Sequence, residues 1–343
     1  MTTYSSLPNG DIAPDELDYL RRRAEGGFGM VMTAACYVHP SGHAFDGQWA
    51  CDSDERLPSL RSAADAIQES GAMGVLQIHH GGRQCPPALC GGQSVSASAI
   101  PAERPNAATP RALKESEVED LIRAFADAAL RAKRAGIQGI EIHGANTYLL
   151  QQFVSPHSNR RDDRWGRDRL AFPLAVTDAV LDAVGPGYPV GYRFSPEETE
   201  TPGIRWPHTE ALIEALCQRP LDWLHISLND YRRTSLVGDF DEPVLHKASA
   251  TIKGRLPLIG VGRVQTLQEA QAVLAMGCDL VALGRMAITE PEWPQRASAG
   301  EPLRTSVPEE DAASLLTLPA GLTRKIYSVH GWFEVEGKWT MQR

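Results

Sequence analysis

Residues 136–148 read GIQGIEIHGANTY, and they contain the pattern on which the fold prediction depends. A glycine ends a helix, and a short apolar strand follows within a few residues, here over 140–143. The same order recurs three times along the chain, and three further apolar runs have the length of strands. Besides 140–143, the predicted strands are 30–32, 75–79, 189–195, 223–228, 257–262 and 280–283.

Helical segments separate these strands. Val118, Leu121 and Phe125 recur at helical spacing, and the pairs Ser116–Glu119 and Thr266–Glu269 have the pattern of a capping box. Strands that alternate with helices predict an α/β protein with a parallel sheet, and so many units favour a (β/α)8 TIM barrel. An open doubly wound sheet is the alternative, which is disfavoured because no G-x-G-x-x-G follows an early strand.

The predicted strands number seven, whereas a closed barrel of this type has eight. A helix predicted from about Pro14 precedes the first of them, so the barrel is expected to lack its first strand and N-terminal hairpin. We predict one barrel domain over 1–343 with a C-terminal tail from about residue 301. The tail aromatics Trp332, Phe333 and Trp339 are expected to pack on the barrel or on a second copy, because exposed aromatic patches are costly.

Composition argues against several classes of function. The net charge of −9 gives no general attraction to nucleic acid or to an anionic membrane. The six cysteines show no metal-ligand spacing and suggest reduced thiols in the cytoplasm. No signal peptide is evident, and no apolar run approaches the ~18 residues of a membrane span. We therefore expect a cytoplasmic protein with no metal, nucleic-acid or membrane partner, and self-association stays open.

Three side chains that can donate hydrogen bonds follow the strand 140–143. They are His143, Asn146 and Tyr148, and the phenol can also release a proton. Such a set suits a site that polarises and protonates a carbonyl substrate; the other interpretation is a turn whose polar groups bond only to backbone. Gln77 lies at the same kind of inward position near a strand end, whereas Glu141 is expected to lie deeper and to bond to a neighbouring strand.

Two consecutive predicted strands end in Gly-Arg, namely Gly262-Arg263 and Gly284-Arg285. The last two strand-end loops of a TIM barrel commonly bind phosphate. Glycine lets backbone N–H groups approach the anion, and arginine supplies charge and a fork of donors. Arg193 ends another strand, where it either forms a surface ion pair or stabilises negative charge on a reduced cofactor.

Together these residues resemble the Old Yellow Enzyme family of FMN-dependent NAD(P)H oxidoreductases and ene-reductases. The resemblance rests mainly on residues 139–166, with the motifs at 77–83 and 283–285. It implies a barrel that holds FMN at the carboxyl ends of its strands, with NADH or NADPH as reductant. The cofactor-binding residues that it implies are Thr2, Ala35, Gln77, Arg193, Gly262, Arg263, Gly284 and Arg285.

The resemblance also implies the residues of the reaction. His143 and Asn146 would bind the oxygen of an activated alkene, and Tyr148 would donate the proton. Tyr4 would face the substrate. The expected reaction is ping-pong reduction of α,β-unsaturated carbonyl or nitro compounds. The rivals are a flavin-free aldolase, which needs a strand-end lysine that the predicted strands lack, and a catalytically inactive flavin-binding or scaffold protein that results from the missing first strand.

Overall fold

A computed structural model describes residues 2–340, so Met1 and residues 341–343 of the predicted domain lie outside the described residues. The β-strands are β1 Met30–Met32, β2 Cys36–Tyr37, β3 Met73–His79, β4 Val95–Ser96, β5 Arg111–Ala112, β6 Gly139–Gly144, β7 Val190–Phe194, β8 Trp223–Ile226, β9 Leu258–Val261 and β10 Leu280–Ala282. The α-helices are α1 Pro14–Glu25, α2 Leu57–Gln68, α3 Glu115–Arg134, α4 Leu149–Val154, α5 Arg164–Arg167, α6 Ala171–Val184, α7 Trp206–Leu216, α8 Val244–Ile252, α9 Leu267–Ala275, α10 Arg285–Thr289, α11 Trp293–Ser298, α12 Ala312–Leu315 and α13 Ala320–Ser328. Among these helices, none is long and apolar enough to cross a lipid bilayer.

The main sheet is parallel and curled, with the order β1-β3-β6-β7-β8-β9-β10. β2 pairs with the far end of β3 and so continues the position of β1. The α/β barrel architecture and the seven strand positions predicted from the sequence are therefore confirmed. Within residues 2–340, β1 and β10 form the two edges, and no strand lies between them where a closed barrel has its eighth.

Two helix starts test the capping predictions. The box at Thr266 and Glu269 is confirmed: the Glu269 N–H donates to Thr266 Oγ1 at 3.2 Å, and the Thr266 N–H donates to Glu269 Oε2 at 3.1 Å. The box at Ser116 and Glu119 is wrong, because α3 begins two residues earlier. There Glu117 accepts both guanidinium N–H groups of Arg111 and also the backbone N–H of Lys114, at 2.8 Å.

The chain after residue 301 packs on α1 and on the N-terminal segment. Arg23 of α1 is buried and donates to the carbonyl oxygens of Ala287 at 2.9 Å, Leu316 at 2.8 Å and Thr317 at 3.2 Å. Of the tail aromatics, Phe333 is buried, whereas two are half-buried, Trp332 and Trp339. The apolar cluster beneath the tail comprises Ile288, Val307, Ala312, Leu316, Leu318, Leu322, Ile326, Phe333 and Val335.

Replacing Arg23 by methionine is expected to lower the free energy of unfolding by about 2–3 kcal/mol, because these three carbonyl groups and those of Tyr19 and Ile288 lose a charged donor. Burial lowers the pKa of Arg23 to about 10, so the guanidinium is charged at neutral pH. Urea unfolding measures the loss. The matched control is Arg22→Met, which removes only a partly exposed pair with Glu292 at 2.9 Å and should change stability by about 1 kcal/mol or less. Equal losses in the two variants would refute the role given to Arg23.

Candidate active site

Three rings meet at the carboxyl ends of β3 and β6. The rings of His79 and Tyr148 lie edge to face with centroids 4.3 Å apart. The ring of His143 lies 5.4 Å from His79 and 5.3 Å from Tyr148. The predicted proximity of His143 and Tyr148 is thus observed. His79 was not among the predicted site residues, although its place two residues after Gln77 puts both side chains on one face of β3.

The protonation states of these rings follow from their burial. Burial lowers the pKa of His143 well below its ordinary value and that of His79 to about 3, so both imidazoles are neutral. Burial, and after it the nearby Tyr4 and Cys85, raises the pKa of Tyr148 to about 12. The phenol therefore keeps its proton at neutral pH, as a proton donor must.

Hydrogen bonds on one side of His79 fix its tautomer. The Nε2 group of Gln48 donates to the Ala35 carbonyl oxygen at 3.1 Å and contacts His79 Nδ1 at 3.0 Å, while Gln48 Oε1 accepts the Ala44 N–H. His79 Nδ1 is therefore an acceptor, and the ring proton lies on Nε2. Among the described residues, neither His79 Nε2 nor His143 Nδ1 has a hydrogen-bond partner. Both buried atoms are available to a ligand.

A short relay of polar groups orients Asn146, which lies in a left-handed turn with φ of 57°. Its backbone N–H donates to Ser195 Oγ at 2.8 Å, and its Oδ1 accepts from the Ser227 hydroxyl at 2.8 Å. The Ser227 oxygen in turn accepts from Arg193 Nη2 at 3.2 Å. Because Oδ1 accepts this bond, the amide nitrogen is the group of the Asn146 side chain that remains to donate to a ligand. Neither serine was predicted from the sequence as a site residue.

Glu141 lies beneath this layer and is fully buried. Its Oε1 accepts from Gln77 Nε2 at 2.7 Å, and its Oε2 accepts from His225 Nδ1 at 2.8 Å and from Trp223 Nε1 at 3.2 Å. Burial alone raises the pKa of a carboxyl group, but His225 and Gln77 help to lower that of Glu141 to about 2. The carboxylate thus bonds to neighbouring strands, as predicted, and it holds Gln77 through the amide nitrogen of that side chain.

The two Gly-Arg turns lie together at the ends of β9 and β10, where Arg263, Gly284 and Arg285 line one cavity with Gly262. A Cβ atom at Gly262, whose φ is 134°, would lie 2.6 Å from the Tyr231 nitrogen, so only glycine fits. Burial, and after it the charge of Arg263, lowers the pKa of Arg285. Two like charges this close favour an anion between them.

The N-terminal segment brings Tyr4 towards the carboxyl ends of the strands, the side of the barrel that we call the mouth. Its ring lies 5.1 Å from Phe45 and 6.4 Å from Trp332, and its proximity contributes to the raised pKa of Tyr148. Helix α13 lies close to the backbone of this segment, since a Cβ atom at Gly321 would lie 1.8 Å from the backbone carbonyl oxygen of Tyr4. Thr2 lies in the same segment and is half-buried.

An exposed cation also lies near Tyr148. The Nη2 group of Arg104 donates to the Gln84 carbonyl oxygen at 3.3 Å, and the Gln84 amide donates to Thr147 Oγ1 at 2.8 Å. The charge of Arg104 opposes the effect of burial on the pKa of Tyr148. The rim of the mouth is therefore positively charged next to the phenol.

Residues 1–304 match the NADH:flavin oxidoreductase / NADH oxidase family. The chain belongs to this family. It is 41% identical to the probable NADH-dependent flavin oxidoreductase YqiG of Bacillus subtilis, over 97% of this chain and 91% of that protein. It is 42% identical to the NADH:fumarate oxidoreductase of Klebsiella pneumoniae over 94% of this chain, but it spans only 36% of that relative's length.

A solved structure of an old yellow enzyme homologue from Zymomonas mobilis superposes with a TM-score of 0.78 at 24% identity, over 90% of this chain and 89% of that one. That likeness concerns the fold. With the family match, it confirms the resemblance to the Old Yellow Enzyme family. This NADH:flavin oxidoreductase is an NAD(P)H-dependent flavoenzyme with FMN as cofactor.

The described residues fit FMN. At one end of the mouth, the paired guanidinium groups of Arg263 and Arg285 and the open backbone at Gly262 suit a phosphate. At the other end, Arg193 Nε and His225 Nε2 are buried atoms without a partner in residues 2–340. A flat heterocycle with several hydrogen-bonding edges would satisfy such groups.

Proposed function

We propose that this flavoenzyme reduces activated alkenes, namely α,β-unsaturated carbonyl or nitro compounds, with NAD(P)H in a ping-pong reaction. The observation that supports the proposal is a buried, neutral His143 with an unpartnered Nδ1, beside a phenol that keeps its proton. When bound, FMN supplies the hydride transfer from NAD(P)H to the β-carbon.

The side chains at the mouth supply the polar part of the reaction. His143 and the Asn146 amide donate hydrogen bonds to the substrate oxygen and draw charge from the double bond. Tyr148 gives its proton to the α-carbon. His79 Nε2–H is a further donor in the same ring cluster, and Tyr4 borders the substrate.

The remaining predicted residues are proposed to hold the cofactor. Gln77 and Arg193 would contact the edge of the flavin ring, and Ala35 and Thr2 would pack near it. The phosphate would lie in the cavity at the ends of β9 and β10. These assignments rest on the shared location of the residues at the strand ends and, for the flavin ring, on the buried Arg193 Nε, which has no partner within residues 2–340. The residues proposed for the phosphate are Gly262, Arg263, Gly284 and Arg285.

Unsaturated carboxylic acids form a subclass that the rim would favour. The charge of Arg104 lies near Tyr148, where it would attract a carboxylate. The relative from Klebsiella pneumoniae is named for fumarate, which is such an acid. Because this chain spans about a third of that relative's length, the substrate is a proposal here.

The proposal is tested with His143→Ala. Losing one oxyanion donor is expected to cost about 3 kcal/mol in the transition state, or ~100-fold in the rate of alkene reduction. Reduction of the flavin by NAD(P)H should change far less. Stopped-flow absorbance measures the two half-reactions separately, with His246→Ala, an exposed imidazole beside Glu242, as control. An equal loss in both half-reactions would show that His143 does not act on the alkene.

The rival is a catalytically inactive flavin-binding or scaffold protein, and the visible spectrum separates the two. An active enzyme is expected to be yellow and to bleach with NAD(P)H before an enone restores the colour. A protein that stays colourless in the presence of FMN would favour the scaffold. We also propose a cytoplasmic location, which is consistent with six free thiols.

A further inference from the structure

Two cysteines bracket a proline-containing turn after β3, directly beside the ring of Tyr148. Cys85 and Cys90 are 2% and 6% exposed and pack in one apolar cluster with Ala44. The rings of Phe45 and Tyr148 pack against that cluster. The thiol pair therefore belongs to the wall behind the proposed proton donor, and no role in alkene reduction has been assigned to it.

The turn brings the two thiols together. The Cys90 N–H donates to the Pro87 carbonyl oxygen at 3.4 Å, and Cys90 Sγ donates to the Pro86 carbonyl oxygen at 3.2 Å. The interaction between the two thiols is the main cause that raises the pKa of Cys85 and lowers that of Cys90 to about 7. The direction of this shift favours the thiolate of Cys90 over that of Cys85, and the thiolate is the form that reacts with oxidants.

The chain just after Cys90 is open to solvent. Gly91 and Gly92 are exposed, and a Cβ atom at either position would have nothing within 4 Å. The backbone beside Cys90 therefore has room for the small shift that a covalent bond between the two sulfur atoms requires.

A second pair of neighbouring thiols in the same protein serves for comparison. The thiols of Cys36 and Cys51 also interact, but both are fully buried, and burial, followed by this interaction, raises the pKa of Cys36 well above its ordinary value. This second pair is an internal control, because its thiols also interact but the pKa of Cys36 is raised, whereas that of Cys90 is lowered.

We propose that Cys85 and Cys90 are a redox-modification site that forms a reversible disulfide with hydroperoxides. The Cys90 thiolate attacks the peroxide oxygen, the O–O bond breaks, and hydroxide leaves with a sulfenic acid on Cys90. The Cys85 sulfur then attacks the Cys90 sulfur and displaces the hydroxyl group, which takes the Cys85 proton and departs as water. The two thiols together lose two electrons, and one hydrogen peroxide becomes two waters.

The test treats the FMN-loaded protein with a small excess of hydrogen peroxide, followed by denaturation, alkylation of free thiols and peptide mass spectrometry. The expected result is a disulfide within the tryptic peptide 84–111, which dithiothreitol reverses. It should form at least about tenfold faster than any oxidation of Cys36 or Cys51. Cys90→Ala should protect Cys85 from oxidation, whereas Cys217→Ala should leave the disulfide unchanged.

Full alkylation of Cys85 and Cys90 after treatment would overturn the proposal, as would irreversible oxidation of Cys90 without a disulfide. The measurement uses no alkene, so its failure leaves the proposed reaction standing. If alkene reduction is also correct, the oxidised protein should reduce alkenes several-fold more slowly, because the bond pulls the wall behind Tyr148. Cys90→Ala should then be insensitive to peroxide in this assay.

Discussion

Replacing Arg263 and Arg285 together by glutamine is expected to weaken FMN binding by about 10²–10⁴-fold. Each guanidinium supplies a charge-assisted hydrogen bond worth about 1.5–3 kcal/mol, and every 1.4 kcal/mol is about a tenfold change in affinity. The purified variant should carry little flavin, because the cavity that both residues line would lose its positive charge. Flavin absorbance measures the bound fraction, and fluorescence titration of the flavin-free protein gives the Kd.

The matched control is Arg232→Gln in the neighbouring loop. Arg232 is exposed and pairs with Asp230 at 3.1 Å, so its loss should leave the flavin content unchanged. Circular dichroism checks that the double variant is folded. A folded double variant that binds FMN as tightly as the parent would place the phosphate elsewhere in the barrel.

The second large effect is a loss of stability at acid pH. Four imidazoles are buried, and burial lowers the pKa of each one: His79, His80, His143 and His225. The unfolded chain takes up protons on these groups near pH 6.5, whereas the native protein does not. The free energy of unfolding therefore keeps its full value above that pH and falls as the pH drops below it. Well below pH 6.5 the loss approaches about 1.4 kcal/mol per pH unit for each imidazole that stays neutral in the native protein.

Urea unfolding of the FMN-loaded protein at pH 7.5, 6.5 and 5.5 measures this slope. His79→Gln should reduce the total loss between pH 7.5 and 5.5 by about 1.4 kcal/mol, while His246→Asn at the exposed pair with Glu242 should leave that loss unchanged. A free energy of unfolding that stays level from pH 7.5 to 5.5 would show that the native protein also accepts these protons.

Much of the fold follows from local sequence. The strands were predictable because a glycine and a short apolar run recur at each βα unit, and Thr266 capped its helix because its partner lies three residues away. Ser116 failed for a reason outside that window: Arg111 holds Glu117 and so moves the start of α3.

The site was predictable only in part. The residues after β6 and the Gly-Arg turns were identified because the strands of a parallel barrel end on one face. Contacts across the barrel depend on register, which the sequence does not display: Gln77 pairs with Glu141, and Ser227 reaches Asn146 across 81 positions. The sequence does not distinguish His79 as a hydrogen-bond donor from a histidine with a purely structural role. Only the contact with Gln48 in the structure shows which ring nitrogen carries the proton.

The hydroxyl of Ser227 has a mechanical consequence. Its oxygen accepts a hydrogen bond from the guanidinium of Arg193, and its proton is donated to the side chain of Asn146. A displacement of either side chain therefore changes the hydrogen bond of the other. If Asn146 binds the substrate as proposed, substrate binding and the position of the Arg193 charge would be coupled through this one hydroxyl group.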